Sequence, residues 1–115
     1  MAVVTEESLS KIVDTIVREA DFERVYVFGS YARGETGEHS DLDLLIVERE
    51  PFSARRSRRM EMARLSRLLA KIRVPKDVLV YSSDEVEHWR TARNHVISHA
   101  VREGKLLYER SPAAF

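Results

Sequence analysis

The chain has 115 residues, the length of a single domain. Its 19 Lys and Arg balance its 19 Asp and Glu, and a net charge of 0 excludes binding to DNA or membrane through bulk positive charge alone. The lack of Cys excludes disulfides, a thiolate zinc site and a cysteine nucleophile, and it indicates a cytoplasmic protein. The polar, acidic start is unlike a signal peptide, and apolar runs no longer than Leu44–Val47 cannot cross a bilayer.

The first half of the chain predicts one helix followed by two strands. Thr5 can cap a helix whose apolar positions recur at helical spacing: Leu9, Ile12, Val13, Ile16 and Val17. Arg24–Phe28 is rich in β-branched and aromatic residues and predicts a strand, which Gly29 ends. Leu42–Glu48 predicts a second strand, apolar enough to lie inside a sheet, and Pro51 ends that element.

The middle of the chain predicts a long Arg-rich helix and a third strand. The helix is expected to begin at Ser53 or Ala54 and to continue to about Ile72. Its buried stripe is expected to comprise Met60, Ala63, Leu65, Leu68, Leu69 and Ile72. Pro75 stops this helix, and Asp77–Tyr81 predicts the third strand.

The last third predicts one more helix and a short final element. Ser82 with Glu85 forms a capping-box pattern, and the helix is expected to continue to about Glu103. Gly104 is expected to end it in a left-handed conformation. A short edge strand at Leu106–Tyr108 could complete the domain, and residues 111–115 are expected to form a loose tail.

This order of elements predicts the fold class. It is α, β, β, α, β, α with an optional edge strand, typical of a compact α/β (α+β) domain with a small mixed β-sheet and helices packed against it. Residues 1–115 are expected to form one domain.

Two acidic residues on the second strand suggest a metal site. Asp41 and Asp43 alternate along the strand and therefore point to the same face. Two adjacent carboxylates repel each other unless a cation lies between them, and Mg²⁺ favours such oxygen ligands. Alternatively, Asp41 caps a turn after Ser40 and Asp43 faces solvent. The apolar residues beside Asp43 weigh against this alternative, because an unpaired carboxylate in a buried strand is costly.

The turn after the first strand suggests a phosphate site. Gly29 would let a phosphate approach the backbone, where a Cβ would intrude. The hydroxyl of Ser30 can donate to phosphate oxygens, and Arg33 offers a guanidinium to the same anion. Gly-Ser also occurs in many ordinary turns, so only its combination with Asp41 and Asp43 indicates a phosphate site.

These two motifs together resemble a known signature. Gly29-Ser30, ten intervening residues and Asp41-Leu42-Asp43 resemble the signature of the DNA polymerase β-like nucleotidyltransferase superfamily. The longer string Gly29–Val47 is similar to its minimal nucleotidyltransferase branch, whose members are stand-alone domains of about this length. The resemblance covers roughly Leu9–Tyr108 and implies two-metal phosphoryl transfer from ATP.

The resemblance also implies a role for each site residue. Asp41 and Asp43 would hold Mg²⁺ on the triphosphate, while Gly29 and Ser30 would seat its β- and γ-phosphates. Asp77 falls where the family's third carboxylate is expected and would hold the second metal and help to deprotonate an acceptor hydroxyl. The alternative for Asp77 is an exposed residue at the start of a strand.

The same resemblance implies a partner. Members of this branch are often encoded beside an all-helical HEPN ribonuclease toxin, which an antitoxin neutralises by transferring AMP to a tyrosine hydroxyl. The rival hypothesis is a binding-only antitoxin or regulatory subunit that forms a complex without catalysis. Antibiotic nucleotidylylation is a weaker third hypothesis, because the chain has no additional substrate-binding domain. The sequence leaves open whether the protein forms a homodimer.

Five other features have simpler interpretations. Residues 53–73 hold eight basic residues and one acidic residue, but without interleaved aromatic residues they favour a solvated helix face over a nucleic-acid or partner surface. His95 and His99 have a chelating spacing, but without a nearby third ligand they are interpreted as helix-surface histidines. Arg93 with His99 only mimics a HEPN ribonuclease pattern. Trp89 is interpreted as core or dimer interface, and His39 as a loop histidine.

Overall fold

The computed structural model describes residues 4–29, 31–32, 34 and 41–110. In these ranges the chain forms four helices and four strands. The helices are α1 (Glu6–Glu19), α2 (Arg58–Leu69), α3 (Ser83–Trp89) and α4 (Val96–Glu103). The strands are β1 (Phe22–Phe28), β2 (Leu42–Glu48), β3 (Lys76–Ser82) and β4 (Lys105–Glu109). The predicted fold class, a small mixed sheet with helices packed against it, is confirmed.

The four strands form one sheet in the order β3-β2-β1-β4. β1 pairs antiparallel with β2 and β4, whereas β2 pairs parallel with β3. Two parallel neighbours need a crossover connection, and α2 supplies it. Because β1 runs against β2 and β3, the end of β1 lies beside the beginnings of those two strands. This end of the sheet contains the predicted site.

The apolar sequence of β2 follows from burial on both faces of the sheet. Leu44 and Ile46 pack on the side of α1 and α2, whereas Leu45 and Val47 pack on the side of α3 and α4. Strands covered on both faces are apolar at almost every position. β2 has the predicted boundaries, and its burial confirms that it lies inside the sheet.

α1 begins as its sequence predicts. The hydroxyl oxygen of Thr5 accepts a hydrogen bond from the Ser8 amide at 3.0 Å, which satisfies one of the free donors at the helix start. Ile12 and Ile16, one turn apart, are fully buried and fix the helix on the sheet.

α2 is shorter than predicted. It begins at Arg58 because the preceding residues form an isolated bridge between Ser53 and Arg56, after which Ser57 caps the helix. The hydroxyl oxygen of Ser57 accepts a hydrogen bond from the Met60 amide at 3.2 Å. The later start and the end at Leu69 correct the predicted range of Ser53 or Ala54 to Ile72.

The buried stripe of α2 is also narrower than predicted. Leu65 and Leu69 are fully buried as expected, and Leu68 and Ile72 are partly buried against the same core. Met60 is 73% exposed and Ala63 is exposed, so the expectation that they belong to the core was wrong.

The single helix predicted after β3 is two helices. α3 ends at Trp89, and α4 begins at Val96 after His95 has capped it, because the two helices cover different strands of the sheet. Trp89 is 39% exposed, and its ring stacks on that of His95 with centroids 4.4 Å apart. Trp89 therefore does not belong to the core, and its other assignment, to a dimer interface, stays a prediction. Gly104 is extended rather than left-handed, with φ −81° and ψ 174°.

Two predictions about the last third of the chain are confirmed. The Ser82 amide donates to Glu85 Oε1 at 2.9 Å, as in the capping box expected there. The short final element is β4, an edge strand paired with β1. The predicted tail at residues 111–115 lies outside the described residues. No helix in the described ranges is both long and apolar enough to span a membrane.

Candidate active site

The candidate site lies where β1 ends and β2 and β3 begin. In the strand register Phe28 is opposite Asp43, and Asp43 is beside Asp77. Paired residues on neighbouring strands point to the same face, about 4.8 Å apart, so both carboxylates emerge side by side on the α3 and α4 side of the sheet. Asp43 is half-buried, whereas Asp77 is exposed. The sheet therefore brings together two aspartates that are 34 residues apart in sequence.

Gly29 lies directly against the carboxylate of Asp43. Its φ of +73° is in the left-handed region that favours glycine. A Cβ added to Gly29 would lie only 2.2 Å from Asp43 Oδ2, a distance at which one of the two groups must move. The glycine predicted for phosphate approach thus has a second function, because its missing side chain leaves the space that the Asp43 carboxylate occupies.

The beginning of β2 is held firmly in place. The Leu42 amide donates to the Pro75 carbonyl at 2.9 Å, which joins the start of β2 to the residue just before β3. The side chains of Leu42 and Leu44, on either side of Asp43, are fully buried. Because its neighbours are fixed in the core, the backbone of Asp43 is held in place at the site.

Lys76 holds the start of β3 in a way that the sequence does not reveal. Its ammonium group donates to the carbonyls of Ile72 at 2.7 Å and Val74 at 2.9 Å, and burial lowers its pKa. These bonds fasten the turn after α2 immediately before Asp77. From the sequence alone, Lys76 would be interpreted as an ordinary surface cation.

The donor atoms at this end of the sheet suit a hard divalent cation. Asp41, exposed immediately before β2, Asp43 and Asp77 offer carboxylate oxygens, the ligands that Mg²⁺ prefers. Within the described ranges, no three Asp, Glu, His or Cys side chains are arranged so that they could hold a metal ion. The chemistry of the donors therefore fits Mg²⁺, and a third ligand group would have to come from the nucleotide or from side-chain movement. The predicted phosphate ligands Ser30 and Arg33, and also His39, lie outside the described residues.

The histidine pair does not form a chelate. His95 precedes α4 rather than lying within it, and its Nδ1 accepts a hydrogen bond from the Ile97 amide at 3.1 Å. His99 is exposed and lies 3.6 Å from Glu103. The interpretation of His99 as a surface histidine is confirmed, whereas His95 serves as a helix cap. Arg93 and His99 belong to a fold with a sheet, unlike the all-helical HEPN layout that their spacing mimics.

A second ionic cluster, at the other end of β2, is not predicted from the sequence. Glu48 is 1% exposed and bonds Arg56 at 2.6 Å, while Glu61 bonds Arg64 at 2.8 Å. Burial and the neighbouring Glu61 raise the pKa of Glu48 to about 7 despite the Arg56 contact, whereas Arg64 lowers the pKa of Glu61. The only sequence signal was an acidic residue at the end of an apolar strand. The cluster lies at the opposite end of β2 from Asp43 and joins α2 to the sheet.

The family of the chain is decided by a sequence comparison. A family model described as "Polymerase beta, Nucleotidyltransferase" matches residues 10–113. The chain belongs to the polymerase β nucleotidyltransferase family. All four strands of this nucleotidyltransferase, together with Gly29, Asp41, Asp43 and Asp77, lie within the matched range.

Individual relatives agree with this assignment. The nucleotidyltransferase is 32% identical over 89 residues to a candidate protein adenylyltransferase of Methanocaldococcus jannaschii, covering 72% of this chain and 89% of that protein. A crystal structure of a candidate nucleotidyltransferase from Sulfolobus solfataricus superposes with a TM-score of 0.65 at 26% identity, covering 90% of this chain and 79% of that one.

Solved toxin–antitoxin complexes contain chains with the same fold. A chain of the MntA–HepT complex matches with a TM-score of 0.59 at 16% identity, over 92% of the nucleotidyltransferase and 74% of that chain. A chain from a Shewanella oneidensis complex, between a tri-AMPylated HEPN toxin and an MNT antitoxin, matches with a TM-score of 0.53 at 19% identity, over 91% and 72%. At these identities the matches establish a common fold.

Proposed function

We propose that this nucleotidyltransferase transfers AMP from ATP to a hydroxyl group, that of a tyrosine, on a HEPN ribonuclease toxin and so acts as its antitoxin. The observation that carries the proposal is the side-by-side placement of Asp43 and Asp77, with the Asp43 carboxylate against Gly29. A binding protein has no need of adjacent carboxylates, which repel each other, whereas phosphoryl transfer uses them.

We assign each site residue a role in this reaction. Asp41 and Asp43 would hold Mg²⁺ on the triphosphate, and Asp77 would be the third carboxylate, near the acceptor hydroxyl. When bound, Mg²⁺ would neutralise phosphate charge and favour departure of pyrophosphate. The backbone turn at Gly29, together with Ser30 and Arg33 from its sequence motif, would seat the phosphates.

Asp77 has the exposure that an acceptor-side residue requires. It lies at the start of an edge strand, where a hydroxyl on another protein can approach it. Its carboxylate could accept a hydrogen bond from that hydroxyl and orient the oxygen toward the α-phosphorus. Asp43, half-buried beside it, is better placed to hold a fixed position relative to the nucleotide.

The choice of ATP and of a protein acceptor draws support from the relatives. The Methanocaldococcus jannaschii relative is named for protein adenylyltransferase activity, and a toxin–antitoxin structure with AMP-PNP shares the fold. A chain without Cys suits the reducing cytoplasm, where ATP is available.

The alternative is a binding-only antitoxin that neutralises the HEPN protein by complex formation. One observation favours it: the described carboxylates do not form a ready-made three-ligand metal site. The enzymatic and the binding-only functions predict different effects of the Asp43→Asn substitution. This variant would abolish AMP transfer in the first case, whereas in the second it would still neutralise the toxin as well as the wild type.

The test is to incubate the protein with ATP, Mg²⁺ and the HEPN protein encoded beside it, and to measure the intact mass of both chains. We expect the HEPN protein to gain AMP with the wild-type enzyme and with Asp14→Asn, a control on the exposed side of α1. Asp43→Asn should leave its mass unchanged. Full transfer by Asp43→Asn would refute the assigned site.

A further inference from the structure

The outward side of α2 and its flanking residues carry a row of cations that we call the basic face. It comprises Arg55, Arg59, Met60, Arg67, Lys71 and Arg73, all of which are exposed. The arginines on the inner side of the same segment have acidic partners: Arg56 with Glu48, Arg58 with Glu85 and Arg64 with Glu61. In the described part of the chain, the five cations of the basic face have none. Within a chain of zero net charge, this face therefore keeps a local positive excess.

The basic face also contains exposed apolar side chains. Met60 is 73% exposed, although a side chain of this type is usually buried. Residues 59, 63, 67 and 70 recur at intervals of three and four, which places Arg59, Ala63, Arg67 and Ala70 on one side of the helix. Met and Arg are enriched where proteins bind each other.

Two concavities lie along the flanks of α2. One, of about 290 Å³, is lined by residues that include Arg55, Met60 and Arg67. The other, of about 430 Å³, lies between α2 and β3 and is lined by residues that include Ser66, Ala70 and Arg73. The face is therefore contoured, so side chains of a partner could insert on both sides of the helix.

The basic face ends near the start of β3, on the opposite side of the sheet from the candidate carboxylates. α2 ends at Leu69 and β3 begins at Lys76, so the end of the basic face lies close to the start of β3. Arg73 at the end of the face is four residues before Asp77 in sequence. α2 covers the opposite face of the sheet from the one on which Asp43 and Asp77 lie, so a partner lying along α2 would have to extend around the start of β3 to reach these carboxylates.

We infer that the basic face binds an acidic surface of a protein partner, with Met60 inserted into an apolar pocket at its centre. Nucleic acid is a less suitable partner, because the basic face has no aromatic side chain for base stacking. A phosphate backbone would also make no favourable apolar contact with Met60. An acidic protein surface would satisfy the unpaired cations, and the long-range attraction would speed its association. The inference rests on the proposed function for the identity of this partner, the HEPN protein.

The test compares two variants with the same change in charge. Arg59→Glu with Arg67→Glu reverses the charge of the basic face, and Arg18→Glu with Arg93→Glu reverses two exposed arginines elsewhere. Binding of each full-length protein to the HEPN protein is measured by calorimetry at two salt concentrations. We expect the first variant to bind at least about 10-fold more weakly and the control within about 3-fold of the wild type. Met60→Ala should weaken binding at both salt concentrations by a similar factor.

Each outcome separates this inference from the proposed function. Equal affinity of the two charge-reversal variants would overturn the inference, while AMP transfer in the same samples would still support the proposed function. Selective loss of affinity in the basic-face variant would support the inference even if no AMP were transferred. Absence of binding by the wild type, or tight, salt-sensitive binding of RNA by the basic face in place of the HEPN protein, would overturn the inference, and AMP transfer in the same samples would decide the proposed function separately.

Discussion

Replacing Gly29 by Ala should damage the site far more than it damages the fold. The added Cβ would lie 2.2 Å from Asp43 Oδ2, about 1 Å closer than ordinary contact, so the carboxylate would have to move away. Leu42 and Leu44 hold the β2 backbone in the core, and therefore the Asp43 side chain would move rather than the strand. The substitution thus acts on the position of one carboxylate.

The size of each effect can be worked out from this geometry. A non-glycine residue at the φ of +73° costs about 1 kcal/mol of stability. A displacement of about 1 Å in a catalytic group can cost about 100-fold in rate. Gly34 provides a matched control, because its φ is +78° and a Cβ added there would meet no atom of the described residues within 4 Å. Gly34→Ala therefore carries the same backbone strain without the contact.

Both variants are compared by urea unfolding and by the rate of AMP transfer to the HEPN protein. We expect each to lose about 1 kcal/mol of stability, Gly29→Ala to lose about 100-fold in rate, and Gly34→Ala to lose less than about 3-fold. Equal rates in the two variants would refute the reasoning, because the contact with Asp43 would then have no influence on catalysis.

Three further predictions concern the site, the buried ionic cluster and the core. Asp77→Asn should reduce AMP transfer at least about 10-fold with an unchanged unfolding midpoint, since Asp77 is exposed; an unchanged rate in a turnover assay would remove it from the site. Because the pKa of Glu48 is raised to about 7, its protonated form favours the fold, and stability should fall as pH rises from about 5 to about 8. Glu48→Gln should flatten that decline, which melting temperatures at the two pH values can check; an equally steep decline would contradict the raised pKa. Ile46→Ala, at a fully buried position of β2, should cost about 2–5 kcal/mol in urea unfolding, and a loss below about 1 kcal/mol would argue against a tightly packed sheet.

The sequence predicts the elements that depend on local pattern. β2 was predicted to the residue, because Leu42–Glu48 combines an apolar run with a following breaker at Pro51. The start of α1 was predicted from Thr5 and the apolar positions that follow at helical spacing. Asp43 could be singled out for the same reason, since a carboxylate within such a buried strand needs an explanation.

Features that depend on contacts between residues distant in sequence could not be predicted from local sequence patterns. The apolar spacing continues through residues 90–95, but α3 covers β2 and β3 while α4 covers β1, so the chain breaks the helix to reach both places. The contact between Gly29 and Asp43 arises only from the antiparallel register of β1 and β2. Similarly, nothing local to Arg56 reveals that Glu48 binds it in a buried cluster rather than leaving it on a solvated face.

Above all, the proposed function requires that Asp43 and Asp77, at the end of the sheet where β2 and β3 begin, support nucleotidyl transfer to a partner protein. The most direct measurement is the intact mass of the HEPN protein after incubation with ATP, Mg²⁺ and this enzyme. We predict a gain of one or more AMP units of about 329 Da, with release of pyrophosphate, that disappears with Asp43→Asn. An unchanged mass with the wild-type enzyme, in a complex that still forms and still silences the toxin, would contradict this function.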